Sequence, residues 1–184
     1  MVSIPSVCVF CGSGIGTEPR YKAAAIATGK GIADRGWRLI YGGGGAGLMN
    51  ETADAALAGE APVIGVIPQF LMELEAGHGG LTDLIVTDGM HDRKQIMFNL
   101  AGAFVILPGG VGTLDETMEI LTWKQLQRHT KPIIIVNEGG YWTPMLEMMD
   151  KIVERGFMGQ NTIELLQIVD TVPEAFKLLE DTFE

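Results

Sequence analysis

Two short apolar runs in this chain pass straight into glycine-rich turns, and that pairing narrows the fold more than any other feature. Residues 103–107 lead into Pro108-Gly109-Gly110-Val111-Gly112-Thr113-Leu114-Asp115-Glu116, and Leu39-Ile40-Tyr41 lead into Gly42-Gly43-Gly44-Gly45-Ala46-Gly47. A buried strand that becomes a helix through glycines brings the backbone close to a ligand and aims free N–H groups at an anion such as phosphate. Two such turns at one edge of a sheet would frame a single pocket, because ligands of open α/β sheets sit beyond the carboxyl ends of the strands.

The rest of the chain repeats the alternation. Strand-like runs fall at 6–11, 37–41, 63–67, 84–87, 103–107, 132–136 and 166–169, and helix-like runs at 19–34, 46–58, 92–101, 114–126, 144–155 and from 173 onward. The strands are continuously apolar, as in Phe104-Val105-Ile106-Leu107 and Ile133-Ile134-Ile135-Val136, which is the pattern of strands covered by helices on both faces. The fold class expected is α/β, doubly wound, with a mostly parallel sheet. The 184 residues, 47% of them hydrophobic, suit one core, so residues 1–184 are read as a single domain. The one long irregular stretch is 68–83, with Gly77, Gly79 and Gly80 and the polar residues Glu73, Glu75 and His78. It reads either as a lid or site wall or as a solvated loop.

Composition removes several function classes. Asp plus Glu number 23 against 13 Lys plus Arg, for a net charge of −10, and such a surface repels nucleic-acid polymers and anionic membranes. No apolar run reaches the ~18 residues of a membrane span, and Met1-Val2-Ser3-Ile4-Pro5 has no secretory signature. The expected location is cytoplasmic. Cys8 and Cys11 form a CxxC, but within or at the end of a strand residues three apart point to opposite faces, and a redox pair normally opens a helix. They are read as small buried hydrophobes. His78, His91 and His129 stand apart with no metal-ligand spacing, and no serine lies in a nucleophile elbow. Neither a metal nor a cofactor is expected.

The glycine turns point to a mononucleotide. Gly42, Gly44 and Gly47 satisfy G-x-G-x-x-G, yet the next strand ends Ile67-Pro68-Gln69 without the carboxylate that a dinucleotide ribose needs. A triphosphate P-loop is also missing. Glu116 has two readings: Thr113-Leu114-Asp115-Glu116 has the spacing of a capping box, while the glycine lead-in offers its N–H groups to an incoming anion and makes a capping carboxylate partly redundant. Arg93 and Lys94 sit where a helix starts and where the macrodipole disfavours cations, so a phosphate, a facing carboxylate or solvent must compensate them. Ser13, in Cys11-Gly12-Ser13-Gly14, is placed either to bond a phosphate or to form the turn.

Three ordered motifs then fit one pattern: GGGxxGLM at residues 43–49, MHxRK at 90–94 and PGGxGTxxE at 108–116. The chain resembles the LOG family of cytokinin riboside 5′-monophosphate phosphoribohydrolases, once widely labelled possible lysine decarboxylases. The resemblance extends from about residue 7 to 159. It implies a Rossmann-like fold, a homodimer, and hydrolysis of a purine nucleoside 5′-monophosphate to free base and ribose 5-phosphate. It also implies that Arg93 and Glu116 are catalytic, and that Lys94, the stretch Gly110, Val111, Gly112, Thr113, Leu114, Asp115, and Thr122 line the nucleotide site, with Glu75 near another position of it. With the residue readings above, Ser13 and Gly44 complete the expected binding set. Asn50, Asp92 and Val111 depart from the family's common residues without removing a charge from the site. The decarboxylase label finds no lysine marked for a pyridoxal Schiff base. A contrasting reading is a non-catalytic carrier of a nucleotide or of molybdenum cofactor, since related folds of this kind serve as such carriers. The apolar residues Met118, Leu121 and Trp123, and Met145, Met148 and Met149, exceed the width of one buried stripe, in keeping with a dimer or with a deep core.

Overall fold

The computed structural model describes residues 4–75 and 77–184, without the side chains of residues 74 and 75. Seven strands form one sheet: β1 (Ser6–Phe10), β2 (Arg38–Tyr41), β3 (Val63–Pro68), β4 (Asp83–Thr87), β5 (Ala103–Ile106), β6 (Ile133–Val136) and β7 (Leu166–Val169). Their order is β4-β3-β2-β1-β5-β6-β7 and every pairing is parallel. The expected doubly wound sheet is therefore present, and among the described residues its strands are parallel throughout.

Among the described residues eight α-helices connect or follow the strands: α1 (Pro19–Asp34), α2 (Gly47–Ala58), α3 (Gln69–Glu75), α4 (Met90–Leu100), α5 (Val111–Gln125), α6 (Thr143–Glu154), α7 (Gln160–Ile163) and α8 (Val172–Phe183). The apolar strands pack two cores. On one face Val7, Val9 and Leu39 meet residues of α1, α2 and α8, such as Ile32, Ala53 and Phe176. On the other face Cys8, Ile40 and Phe104 meet Met97 of α4, Ile120 of α5 and Met149 of α6. Cys8 and Cys11 fall in opposite cores, both buried and both free. Their spacing puts them on the two faces of the sheet, so they do not approach as a pair.

Three departures from the sequence reading matter for the site. The stretch 68–83 is not wholly irregular, because Gln69–Glu75 is helical and Gln69 bonds Glu73 at 3.0 Å one turn on. Its run of helix-compatible residues is obscured in the sequence by the glycines that follow. Helix α4 starts at Met90, two residues early, with extended Gly89 as its N-cap. Helix α5 starts at Val111 and not at 114, with extended Gly110 as N-cap and the first backbone bond running from Leu114 N–H to Gly110 C=O at 3.1 Å. No helix among the described residues is long and apolar enough to cross a membrane.

The strand order reverses between β1 and β5, so the crevice beyond their carboxyl ends is where a doubly wound sheet binds ligands. The loops leaving these strands are stitched together there. Gly12 N–H donates to Pro108 C=O at 3.0 Å, just past the Leu107 N–H to Phe10 C=O bond at 2.9 Å.

Candidate active site

The start of α5 opens onto a cavity of about 270 Å³ at this crevice. Cys11, Gly12 and Ser13 come from the loop after β1, Gly110 to Thr113 and Glu116 from the start of α5, Met90 and Arg93 from α4, and Met49 and Leu71 from α2 and α3. No side chain caps α5 and no acidic residue lies in its first turn. Its first N–H groups and the positive end of its dipole are therefore left for something outside the helix.

The earlier start of α5 decides between the two readings of Glu116. With Gly110 as N-cap, Glu116 is the sixth residue of the helix and lies too far along to cap it. Its carboxylate instead faces the cavity, one turn below Gly112 on the same side of the helix. Nothing stands within 4 Å of where a Cβ at Gly112 would project, so the space above the carboxylate is open. Glu116 is only 8% exposed. Burial is the main cause that lifts its pKa from 4.5 to about 7, against the pull of Arg93 and with a further push from Asp115.

Arg93 is equally buried and is held by the ends of two neighbouring strands. Its Nε donates to Val66 C=O at 3.0 Å and its Nη2 to Gly42 C=O at 3.1 Å. A Cβ at position 42 would overlap Nη2, so the glycine of the first turn is what admits the guanidinium. The remaining arm, Nη1, stands 3.6 Å from Glu116 Oε1, an ion pair without a close hydrogen bond. Neither member is saturated by the other, so both keep capacity to bond a ligand atom or a water lying beside them in the cavity. Beneath it, burial and then the charge of Glu116 push the Cys11 thiol up to about 12, so the floor is a neutral thiol.

Comparison with known proteins supplies the family. A family model described as "Possible lysine decarboxylase" matches residues 49–179. The chain is 39% identical over 175 residues to "Cytokinin riboside 5′-monophosphate phosphoribohydrolase LOG" of Oryza sativa subsp. japonica, covering 95% of this chain and 72% of that protein. It is 41% identical over 175 residues to the phosphoribohydrolase LOG1 of Arabidopsis thaliana, covering 95% of this chain and 82% of that one. The chain belongs to the LOG family. Among solved structures, the molybdenum cofactor binding protein of Rippkaea orientalis superposes with a TM-score of 0.77 at 21% identity over the full length of both chains. The Moco carrier protein of Chlamydomonas reinhardtii gives 0.74 at 23% identity over 98% of each. At these identities the likeness shows a shared fold.

For this LOG-family chain, Ser13, Arg93, Gly110, Val111, Gly112, Thr113 and Glu116 line one cavity. Leu114, Asp115 and Thr122 lie instead on the outer face of α5, in a groove of about 430 Å³ that shares Val111 with the cavity. Lys94 lies outside the lining of that cavity, and its Nζ stands 3.0 Å from Asp115 and 3.2 Å from Glu119. Burial works against its charge, and the two carboxylates outweigh that and raise its pKa. The helix-start cations are thus compensated by facing carboxylates and strand-end carbonyls.

The first glycine turn does not repeat the second. The N–H groups of Leu48 and Met49 at the start of α2 donate to Gly12 C=O at 3.0 and 3.3 Å, so protein carbonyls already occupy them. Gly44 is buried in an antiparallel bridge with Gly77, away from the cavity lining. Glu75 closes α3, and its side chain lies outside the described residues. His78 bonds Asp54 at 2.9 Å and His129 bonds Ile120 C=O at 2.8 Å, while His91 is exposed. Among the described residues no group of three His, Cys, Asp or Glu is placed to hold a metal.

Sequence reasoning missed Cys11, Gly12, Met49, Leu71 and Met90 as cavity walls. Four of them lie in or beside motifs already singled out, next to Ser13, in GGGxxGLM and in MHxRK. Leu71 had no local signal, because α3 itself was not foreseen.

Proposed function

We propose that this LOG-family chain is a phosphoribohydrolase that cleaves the N-glycosidic bond of a purine nucleoside 5′-monophosphate, giving free base and ribose 5-phosphate. The observation that carries the reading is the buried Arg93–Glu116 pair, 3.6 Å apart, directly beneath the uncapped start of α5. Breaking the bond from ribose C1′ to the base nitrogen builds positive charge on the sugar and negative charge on the base, and water supplies the hydroxyl to C1′ and the proton to the base. The N–H groups of Gly112 and Thr113, with Gly110 at the cap, hold the 5′-phosphate, which sets the ribose over Glu116. The ionised carboxylate then stabilises the oxocarbenium-like ring or takes a proton from the attacking water. Arg93 keeps its proton, so its work is electrostatic: it fixes Glu116 and opposes the negative charge that develops on the leaving base.

The names of the relatives in rice and Arabidopsis support this substrate class for the present chain. Incubation with AMP and with isopentenyladenosine monophosphate, followed by chromatography, is expected to give free base and ribose 5-phosphate in equal amounts. Nucleotide that stays bound and intact would mark a carrier and overturn the enzyme reading.

The same reading makes the protein a cytoplasmic homodimer. Leu121, Met145 and Met149 are spent on the core. The groove on the outer face of α5 retains Leu114, Met118 and Trp123, with Val111 83% exposed at its edge, an apolar strip suited to a second copy. Light scattering at micromolar concentration is expected to give twice the monomer mass of 19.8 kDa, and monomer alone would contradict the dimer.

A further inference from the structure

On the far side of the glycine wall lies a second cavity of about 400 Å³, lined by Gly12, Gly109 and Gly110 and by the rings of Tyr21 and Tyr141. Tyr141 lies just beyond a 3₁₀ turn at Glu138–Gly140 that follows β6, and its hydroxyl reaches across the fold to donate to Gly109 C=O at 2.6 Å. The ring makes edge-on contacts with Tyr21 at 5.3 Å and with Trp142 at 4.9 Å. The following residue is fixed as well, through the Trp142 N–H to Asn137 Oδ1 bond at 2.7 Å. A tyrosine held this firmly specifies where its one hydroxyl points.

The consequence follows from peptide geometry. The Gly109–Gly110 peptide is trans, so its C=O and its N–H point in opposite directions. Tyr141 lines the second cavity and not the first, whereas Gly110 lines both. Holding the Gly109 carbonyl toward the tyrosine turns the Gly110 N–H toward Glu116 and the α5 start. The glycine at 109 cannot brace this peptide by itself, because a Cβ there would overlap Thr113 Oγ1, and without one its backbone keeps the conformational freedom of glycine. We infer that Tyr141 is a positioning residue for the anion cradle: its hydroxyl locks the Gly109–Gly110 peptide so that the Gly110 N–H is presented to the 5′-phosphate. The inference rests on the proposed nucleotide reading for its ligand and on the structure alone for its geometry.

Tyr141→Phe keeps the ring and its edge contacts and removes one O–H. The Kd for AMP and for ribose 5-phosphate is expected to rise roughly three- to tenfold, the worth of one hydrogen bond, with adenosine binding and kcat unchanged within about twofold. In ¹⁵N spectra, inorganic phosphate should shift the Gly110 amide of the wild-type protein, and this response should shrink in Y141F. An unchanged AMP Kd, an equal loss for AMP and adenosine, or a wild-type Gly110 amide indifferent to phosphate would each overturn the inference. If wild type releases base from AMP while Gly110 ignores phosphate, the positioning role fails and the enzyme reading stands. If the Gly110 response is present and lost in Y141F but no base is released, the enzyme reading fails and the positioning role stands.

Discussion

Glu116→Gln is expected to lower kcat for base release by roughly 10²- to 10⁴-fold while leaving nucleotide affinity within a few-fold. The amide has almost the same volume and reaches the same cavity, but it can neither carry negative charge beneath the ribose nor accept a proton from water. Loss in kcat without a matching loss in binding separates a transition-state role from a structural one. The pH profile supplies a second signature. With Glu116 lifted to about 7, wild-type kcat/KM should rise through neutral pH as the carboxylate ionises, and that limb should vanish in the variant.

The same substitution should change stability in the opposite direction. Glu116 has a folded pKa of about 7 against an ordinary 4.5, so the folded state binds a proton that the unfolded chain releases. Its contribution is fully favourable below about 4.5 and is lost as pH rises through about 7. The gap corresponds to about 3 kcal/mol of strain in the ionised protein. Urea unfolding should therefore find Glu116→Gln more stable than wild type at pH 8, with the difference fading toward pH 5. An inactive variant that is the more stable one marks a residue kept for chemistry. Unchanged kcat, or a variant less stable at pH 8, would return Glu116 to a structural role.

The second large effect is at Arg93. Arg93→Met should destabilise the fold by about 3–5 kcal/mol at pH 8, because it leaves Glu116 ionised without its counter-charge and strips donors from Val66 C=O and Gly42 C=O. The loss should be smaller at pH 5, where Glu116 holds its proton. Arg93→Lys should not rescue it, since a single ammonium cannot reproduce a fork that meets two separate carbonyls and a carboxylate. Adding Glu116→Gln to Arg93→Met should recover part of the loss, which a double-mutant cycle in urea reads directly. A loss below about 1 kcal/mol, or full rescue by lysine, would show that the guanidinium is not the clamp at this sheet edge.

The alternation of apolar runs and helical segments was enough to read the sheet, because parallel strands buried on both faces leave a continuous apolar signature that depends on no distant partner. The α5 start was read three residues late. There the Thr113-to-Glu116 spacing competes with a bare glycine N-cap, and only the backbone bond from Leu114 to Gly110 decides. The seven residues of α3 were hidden for a different reason, since the glycines at 77, 79 and 80 dominate the local pattern. Within the site, residue type and motif were legible for Arg93 and Glu116, but partner choice was not. Arg93 bonds carbonyls 27 and 51 residues away, Lys94 meets a carboxylate 21 residues on, and Tyr141 reaches Gly109 across 32. Such pairings are set by strand order and helix packing, and no local spacing encodes them.

The proposed role of the carboxylate and the guanidinium under the anion-binding helix start is to act on a phosphorylated nucleoside. It is tested most directly by running the base-release assay on AMP and adenosine side by side. Charge-assisted bonds from the α5 amides to the 5′-phosphate predict kcat/KM for AMP at least about a hundredfold above that for adenosine. Equal values for the two substrates, or no release of base from either, would contradict it.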